Sequence, residues 1–249
     1  MADLQALGPY RGAAEGSLSQ RLARLNAAAT SRHVFVAGGT GYVGGRLLDA
    51  LLARGHRVRA LARPGSEGRL PPGCEIVTGN ALSAETFAGR IPPCDTFVQL
   101  VGVSHPSPAK AAQFRSIDLA SAKASGSAAA QAGVAHFVYV SVAQPAPAMK
   151  AYVEARAEAE AFLRSTVRNA TFLRPWYVLG PGHRWPYALI PFYFLAEKLP
   201  ATREAARRLG LVTLAEMVRA LVAAVERPAE GFRIVEVPEI RGESSERAG

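Results

Sequence analysis

Cysteine is nearly absent from this sequence, and long apolar runs are missing altogether. The 249 residues contain only Cys74 and Cys94, which excludes a disulfide framework and a zinc site built from C-x-x-C pairs. No apolar stretch reaches the roughly 18 residues that a membrane span requires, and the N-terminus lacks the apolar core of a secretory signal. These absences predict a cytoplasmic protein without a transmembrane helix.

Lysine is also scarce, so arginine supplies most of the positive charge in a chain of formal net charge +9. An excess of basic over acidic residues is typical of proteins that bind nucleic acid or anionic membranes. The arginines are scattered along the chain, however, and no zinc-finger spacing or RNA-binding aromatic motif accompanies them. We therefore predict no nucleic-acid partner. The five histidines do not cluster with carboxylates, so no metal site is predicted.

Short apolar runs alternate with helical patterns from residue 33 onward. Because parallel strands are joined by crossover helices, this alternation predicts an α/β fold, a Rossmann-like doubly wound parallel sheet with right-handed crossovers. The predicted strands of this alternation are residues 33–37, 58–62, 75–78, 96–102, 136–142 and 170–174, and residues 232–237 are a final predicted strand in the last third of the chain.

The ends of the chain depart from this alternation and define the predicted domains. Residues 1–31 have little periodicity, so we expect a flexible N-terminal arm. The Rossmann domain is predicted over residues 32–237, of which 176–237 form mostly a small C-terminal subdomain on the substrate side. Residues 238–249 are a predicted polar tail. The apolar and aromatic segment 185–199 fits a substrate lid, a peripheral contact with a membrane or protein partner, or a buried helix pair.

A glycine-rich loop lies between the first predicted strand and the first helix, with the spacing Gly38-x-x-Gly41-x-x-Gly44. In such loops the first glycine permits the tight turn, the second lets the backbone approach a pyrophosphate, and the third lets helix pack on strand. The helix N-terminus then offers amide groups to the phosphates. The alternative is a tight turn without a ligand. The predicted cofactor contacts of this loop are Gly38, Thr40, Gly41, Tyr42, Val43 and Gly44.

The residue that follows the second predicted strand bears on the choice of dinucleotide. NAD-binding folds place an acidic residue there, which accepts a hydrogen bond from the ribose hydroxyl. This chain has Arg63 at that position, and the first acidic residue after it is Glu67. A guanidinium cannot accept a hydrogen bond but pairs well with a 2′-phosphate. We therefore predict a preference for NADP(H). The alternative is a solvated Arg63 with use of NAD(H) as well.

Several motifs within residues 33–237 together resemble one known superfamily. They are residues 38–44, 60–63, 78–81, 100–102, 137–141, 173–175 and 180–181. They are similar to the atypical and extended short-chain dehydrogenase/reductases, in the NAD(P)H-binding branch that includes NmrA-like regulators and the accessory dinucleotide-binding subunit of respiratory complex I. The resemblance implies further contacts along the adenine, under the nicotinamide ribose and at the nicotinamide end. Asn80 and Ala81 would lie along the adenine. Leu100, Val101 and Gly102 would lie under the nicotinamide ribose, and Pro175 and Tyr177 would lie at the nicotinamide end.

The resemblance also implies a catalytic pair, in which a tyrosine acts as acid or base and a lysine four residues later supports it. A phenol with a pKa near 10 is a poor base at neutral pH unless a cation stabilises the phenolate. In this chain the matching residues are Tyr152 and Arg156, with Ser141 as the residue that orients the substrate. The alternatives are a Tyr152 that only packs at the surface and an Arg156 that pairs with Glu160 on the helix exterior.

Two functions follow from these residues. The first is an NADP(H)-dependent oxidoreductase that transfers hydride to or from a carbonyl or enone of a hydrophobic small molecule. The second is a catalytically vestigial accessory or redox-sensing protein that binds the dinucleotide. The arginine at position 156, where the superfamily has lysine, favours the second.

Overall fold

The computed structural model describes residues 31–180 and 203–243, and this part contains a seven-stranded parallel sheet. The strands of this sheet are β1 (His33–Ala37), β2 (Arg57–Ala62), β3 (Glu75–Thr78), β4 (Thr96–Gln99), β5 (His136–Val140), β6 (Ala170–Arg174) and β9 (Phe232–Glu236). They lie in the order β3-β2-β1-β4-β5-β6-β9. Two further strands, β7 (Tyr177–Leu179) and β8 (Leu211–Thr213), pair in parallel with each other. The predicted Rossmann-like α/β fold is confirmed.

Helices cover both faces of this sheet. They are α1 (Tyr42–Ala53), α2 (Ala120–Gln131), α3 (Lys150–Thr166), α4 (Arg203–Arg208), α5 (Leu214–Glu226) and α6 (Val237–Arg241). A π-helical segment, Phe114–Leu119, leads directly into α2. Helix α5 begins at a capping box, in which Thr213 accepts from the Glu216 amide and the Glu216 side chain accepts from the Thr213 amide. Such a box satisfies amide groups that the first turn leaves unpaired.

The two faces of the sheet carry separate apolar cores because successive strand residues point to opposite sides. Val34 and Val36 pack with helices α1 and α5 on one face. Phe35 lies on the other face, where α2 and α3 pack and where its ring centroid is 5.0 Å from that of Phe97. Burial on both faces is typical of parallel strands, and it fixes the carboxyl ends of these strands at one edge of the sheet.

Part of the C-terminal third belongs to the main sheet and its core. Residues 176–237 are predicted to form mostly a small subdomain of the Rossmann domain; within the described residues, this segment contributes β9 to the main sheet, next to β6, and α5 to the core beside α1. The expected polar tail begins instead with helix α6, because Ile240 is buried against this core. Apart from Ser31, the predicted arm lies outside the described residues, as does segment 185–199, so both assignments stay predictions.

The first residue of β5, His136, makes folding sensitive to acid. Its side chain is buried, with Nε2 3.0 Å from Thr171 Oγ1. Burial, assisted by the positive charge of Arg32, lowers the pKa of His136 to about 4. Because an unfolded histidine has a pKa near 6.5, the unfolded state binds more protons between pH 6.5 and 4, and stability falls as the pH falls through this window.

We expect His136→Gln to remove this part of the acid sensitivity, since glutamine keeps a polar group near Thr171 and does not titrate. The free energy of unfolding should drop between pH 7 and pH 4.5 by about 2 kcal/mol less in the variant than in the parent. Urea denaturation at the two pH values measures this difference. Equal losses in both proteins would contradict the assignment.

Candidate functional site

The glycine loop packs so closely that side chains are excluded at two positions. Gly38 has φ 90° and a Cβ there would lie 2.9 Å from backbone atoms of Leu100 and Val101. A Cβ at Gly44 would lie 2.1 Å from the Gly38 carbonyl oxygen. The loop therefore holds the end of β1, the end of β4 and the first turn of α1 in backbone contact, as expected from the glycine spacing.

The N-terminus of α1 has the properties of an anion site. The helix starts after Gly41, and its first turn carries no acidic side chain. The first amide groups of a helix lack intrahelical acceptors and lie at the positive end of the helix dipole. The Tyr42 hydroxyl packs against Gly180, where a Cβ would clash with it, and this contact ties the first turn to the end of β7.

Two arginines follow β2, and the one that contacts the glycine loop was not indicated by the sequence. Arg63 is exposed directly after β2, at the predicted position. Arg69 lies in the short 3-10 turn Glu67–Arg69 and donates from Nη2 to the Thr40 carbonyl at 2.8 Å. In the sequence, Arg69 is only a second basic residue in the polar stretch that follows β2. The 3-10 turn is what brings its side chain to the glycine loop.

The other predicted cofactor residues lie at the same edge of the sheet. Asn80 and Ala81 follow β3, and the Asn80 side chain accepts from the Leu82 amide at 3.1 Å, which orders the turn. Residues 100–102 follow β4, with the Leu100 amide donating to the Ala37 carbonyl at 2.9 Å. Pro175 and Tyr177 follow β6, where Pro175 is buried.

Arg156 is buried at the centre of the predicted catalytic group, with 5% of its surface exposed. Its Nη2 lies 2.5 Å from Asp118 Oδ1, its Nη1 donates to the Val140 carbonyl at 2.6 Å, and its guanidinium carbon is 5.2 Å from the centre of the Tyr152 ring. The alternative of a surface pair with Glu160 is wrong. Glu160 is itself buried and accepts instead from Arg174, at 2.9 and 2.7 Å.

Asp118 is the functional candidate that sequence reasoning missed. It is fully buried within the π-helical segment, and its Oδ2 accepts from the Val103 amide at 3.0 Å. The signal was an acidic residue between the apolar Ile117 and Leu119. Segments of π-helix are rare and are frequent at functional sites. Through Asp118, the loop after β4 is linked to Arg156 on α3.

The electrostatics of this group keep Arg156 charged. Burial alone would lower the pKa of Arg156, but the adjacent Tyr139, Tyr152 and Asp118 outweigh burial and raise it. Burial also raises the pKa of Tyr139 to about 12, although Arg156 opposes the shift. Arg156 therefore serves as a fixed cation and does not exchange protons at physiological pH.

Two buried polar atoms near the ends of β4 and β5 lack hydrogen bonds within the described residues. They are Gln99 Nε2 and Ser141 Oγ. Native proteins rarely leave such atoms unsatisfied. A Cβ at Gly102 would lie 2.3 Å from Arg156 Nη2, so the backbone after β4 runs directly over the guanidinium. Phe114 and Tyr152 close this group from the helix side, with ring centroids 4.9 Å apart.

The arrangement fits a nicotinamide dinucleotide. Its glycine cradle would hold a pyrophosphate, and its polar atoms lie where the strands end. The sequence matches the model of a family described as NAD(P)H-binding over residues 38–185. The chain belongs to this family. The matched residues begin at the glycine loop and include both Asp118 and Arg156.

Two curated relatives of this chain are reductases. A ceramide reductase of Caulobacter vibrioides is 24% identical over 210 residues, which are 84% of this chain and 65% of that protein. A 3-diazoavenalumate denitrifying reductase of a Streptomyces species is 30% identical over 225 residues, 80% of this chain and 73% of that protein. The chain thus spans less than two thirds of the ceramide reductase.

Solved structures show the same fold. The Bordetella bronchiseptica enzyme WbmH in complex with NAD+ has a TM-score of 0.62 and 21% identity, covering 83% of this chain and 76% of that one. A short-chain dehydrogenase/reductase superfamily protein from Agrobacterium tumefaciens with bound NAD has a TM-score of 0.61 and 16% identity, covering 85% and 81%. These neighbours show the fold, and the family match is what confirms the predicted NAD(P)H-binding family.

Within residues 31–180 and 203–243, none of the helices combines the length and the hydrophobicity of a membrane span. No group of three histidine, cysteine or acidic residues in this part could hold a metal ion. The location of the protein and its macromolecular partners stay predictions.

Proposed function

We propose that this protein is an NADP(H)-dependent oxidoreductase that transfers hydride to or from a carbonyl or enone of a hydrophobic small molecule. One observation supports this most directly. Arg156 contacts Val140 at the end of β5, the backbone at Gly102 after β4, and the ring of Tyr152. The predicted acid thereby stands beside the strand ends at which a nicotinamide ribose would lie.

The residues of the cofactor site have separate roles in this proposal. NADPH, when bound, supplies the hydride. The first turn of α1, after Gly41, would hold the pyrophosphate, and residues 100–102 would lie along the nicotinamide ribose. Arg63, which follows β2, and Arg69, which bonds the Thr40 carbonyl, would lie at the side of the adenosine ribose, where their charge would favour a 2′-phosphate.

The catalytic roles belong to Tyr152 and Ser141. The Tyr152 hydroxyl would give a proton to the carbonyl oxygen, and Ser141 Oγ, which is buried and without a partner in the described part, would orient that oxygen. Arg156 would act through its fixed charge beneath the Tyr152 ring. Because its two terminal nitrogens already bond Asp118 and Val140, we do not assign it as a ligand of the ribose.

Cofactor preference can be tested at the two arginines beside the loop. We expect Arg63→Ala to weaken NADPH binding about tenfold and Arg69→Ala to weaken it by a similar factor, because each removes a charge-assisted hydrogen bond to phosphate. NADH binding should change less than about twofold. Calorimetric titration of both nucleotides gives these ratios, with exposed Arg90→Ala as the matched control. Equal weakening for NADPH and NADH would contradict the NADP(H) preference.

The proposed reaction is tested by NADPH oxidation, followed at the nicotinamide absorbance, across hydrophobic ketones, aldehydes and enones. The names of the two relatives support a reductase and add ceramide and 3-diazoavenalumate to the panel. Turnover of at least one compound is the expected result.

A second function is favoured by one specific contact. Asp118 forms an ion pair with the guanidinium of Arg156. The chain therefore lacks the free lysine ammonium group that the superfamily has near its catalytic tyrosine. A protein that binds NADPH tightly but oxidises it with no compound on the panel would be the accessory or redox-sensing protein instead. That outcome would overturn the enzymatic proposal while leaving the cofactor site intact.

A further inference from the structure

A cavity of about 810 Å³ lies between α1 and α5, on the face of the sheet opposite to α2 and α3. This volume falls within the range of small-molecule sites. Its apolar lining includes Ala50, Leu179, Leu214, Val218, Val222 and Ala223. Among its described lining residues, none belongs to the candidate cofactor or catalytic group, so the cavity, here called the α1–α5 groove, is a separate feature.

The charged residues of the α1–α5 groove are mostly basic. Four arginines line it together with one carboxylate, Glu226. That carboxylate is already engaged, since its Oε1 lies 2.6 Å from Arg54 Nε. Arg219 donates from Nη2 to the Arg241 carbonyl at 3.0 Å. Within the described part of the chain, Arg46 and Arg227 pair with no carboxylate, so the groove carries uncompensated positive charge.

We propose that the α1–α5 groove binds one molecule of a single-chain amphiphile with an anionic headgroup, of the fatty carboxylate class. The alkyl chain would lie on the apolar floor, where burial of apolar surface favours binding. The headgroup would pair with Arg46 or Arg227. Small side chains at Ala50 and Ala223 leave a slot between the helices that suits an alkyl chain.

The shape of the groove distinguishes this ligand from larger partners. A bilayer surface contacts apolar side chains that protrude, whereas the apolar residues here lie in a cavity that arginines border. A single small amphiphile therefore fits best.

Calorimetric titration of the full chain with laurate, kept below its micelle concentration, tests the proposal. We expect saturable binding with one site. Acetate, which has the headgroup alone, should not bind, and dodecanol, which has the chain alone, should bind at least threefold more weakly. Added salt should weaken laurate binding, because exposed charge pairs are screened.

Three variants locate the binding. The double variant Arg46→Glu with Arg227→Glu should weaken laurate binding at least tenfold, and Ala223→Trp, which fills the slot without changing charge, should abolish it. The double variant Arg90→Glu with Arg168→Glu makes the same charge change at two exposed residues outside the groove and should leave binding within twofold. Thermal unfolding confirms that each variant folds.

Three results would overturn the proposal. One is the absence of saturable laurate binding by the full chain. Another is unchanged binding in both groove variants. The third is that the protein binds phosphatidylglycerol vesicles but not laurate, which would assign the positive charge of the groove to a membrane contact. NADPH affinity is measured in parallel, and because no described residue is shared between the two sites, loss of laurate binding with retained NADPH binding separates this proposal from the proposed enzyme.

Discussion

Replacing Asp118 with asparagine is expected to destabilise the protein by about 3–5 kcal/mol, because it leaves a buried guanidinium without its anion. Asp118 is fully buried and Arg156 is 5% exposed, with 2.5 Å between their paired atoms. The cost of removing one partner comes mainly from the remaining charge, which cannot return to water in the folded state. Chemical denaturation at pH 7 measures the change in the free energy of unfolding.

Two control variants distinguish the loss of a buried ion pair from the loss of an exposed one. Arg115→Gln breaks an exposed pair with Glu158, whose side chains are 63% and 39% exposed, and should cost less than about 1 kcal/mol. The double replacement Asp118→Leu with Arg156→Met removes both charges and should recover much of the loss. If Asp118→Asn costs no more than Arg115→Gln, the buried pair does not hold this site together. If Asp118→Asn does not fold, the double variant still reports on the pair.

Tyr152→Phe is expected to lower the rate of hydride transfer about 10²–10⁴-fold, the range that general acid catalysis supplies. Phenylalanine keeps the ring that packs on Phe114 and lies over Arg156, so stability and NADPH affinity should change little. Single-turnover oxidation of bound NADPH by the best substrate of the panel measures the rate, and calorimetry measures the affinity. Unchanged turnover in this variant would remove Tyr152 as the acid, whereas a parallel loss of affinity would indicate a binding role.

Local patterns were enough to predict the central architecture. The alternation of apolar runs and helical patterns gives the parallel strands, and the glycine spacing places the β1–α1 loop where the structure has it. These features depend on residues within a few positions of one another, so a single sequence contains the information.

The parts that could not be predicted depend on distant contacts. Pairing of β9 with β6, which draws the C-terminal third into the main sheet, joins residues that are 62 positions apart, as in the bond between Arg174 and Glu236. The Asp118–Arg156 pair spans 38 positions and depends on a π-helical segment, whose period differs from the 3.6 residues that sequence patterns detect.

The alternative that paired Arg156 with Glu160 fails for a specific reason. Spacing of four residues on a helix brings Arg156 and Glu160 to one face, and the sequence does not show that this face is buried. In the structure both side chains are buried but find other partners, Asp118 for the arginine and Arg174 for the glutamate. Buried charges take the partners with the best hydrogen-bond geometry, and those partners come from other elements.

Calorimetric titration of NADPH into the full chain, with Gly41→Ala as the comparison, tests the cofactor site most directly. A Cβ at Gly41 would meet only the Gly38 carbonyl oxygen, at 3.1 Å, so the variant should fold while its methyl group occupies the approach of the pyrophosphate. We expect one NADPH per chain, bound more tightly than NADH, and a loss of at least about 100-fold in the variant. No heat with either nucleotide at millimolar concentration, or equal binding by parent and variant, would contradict the account.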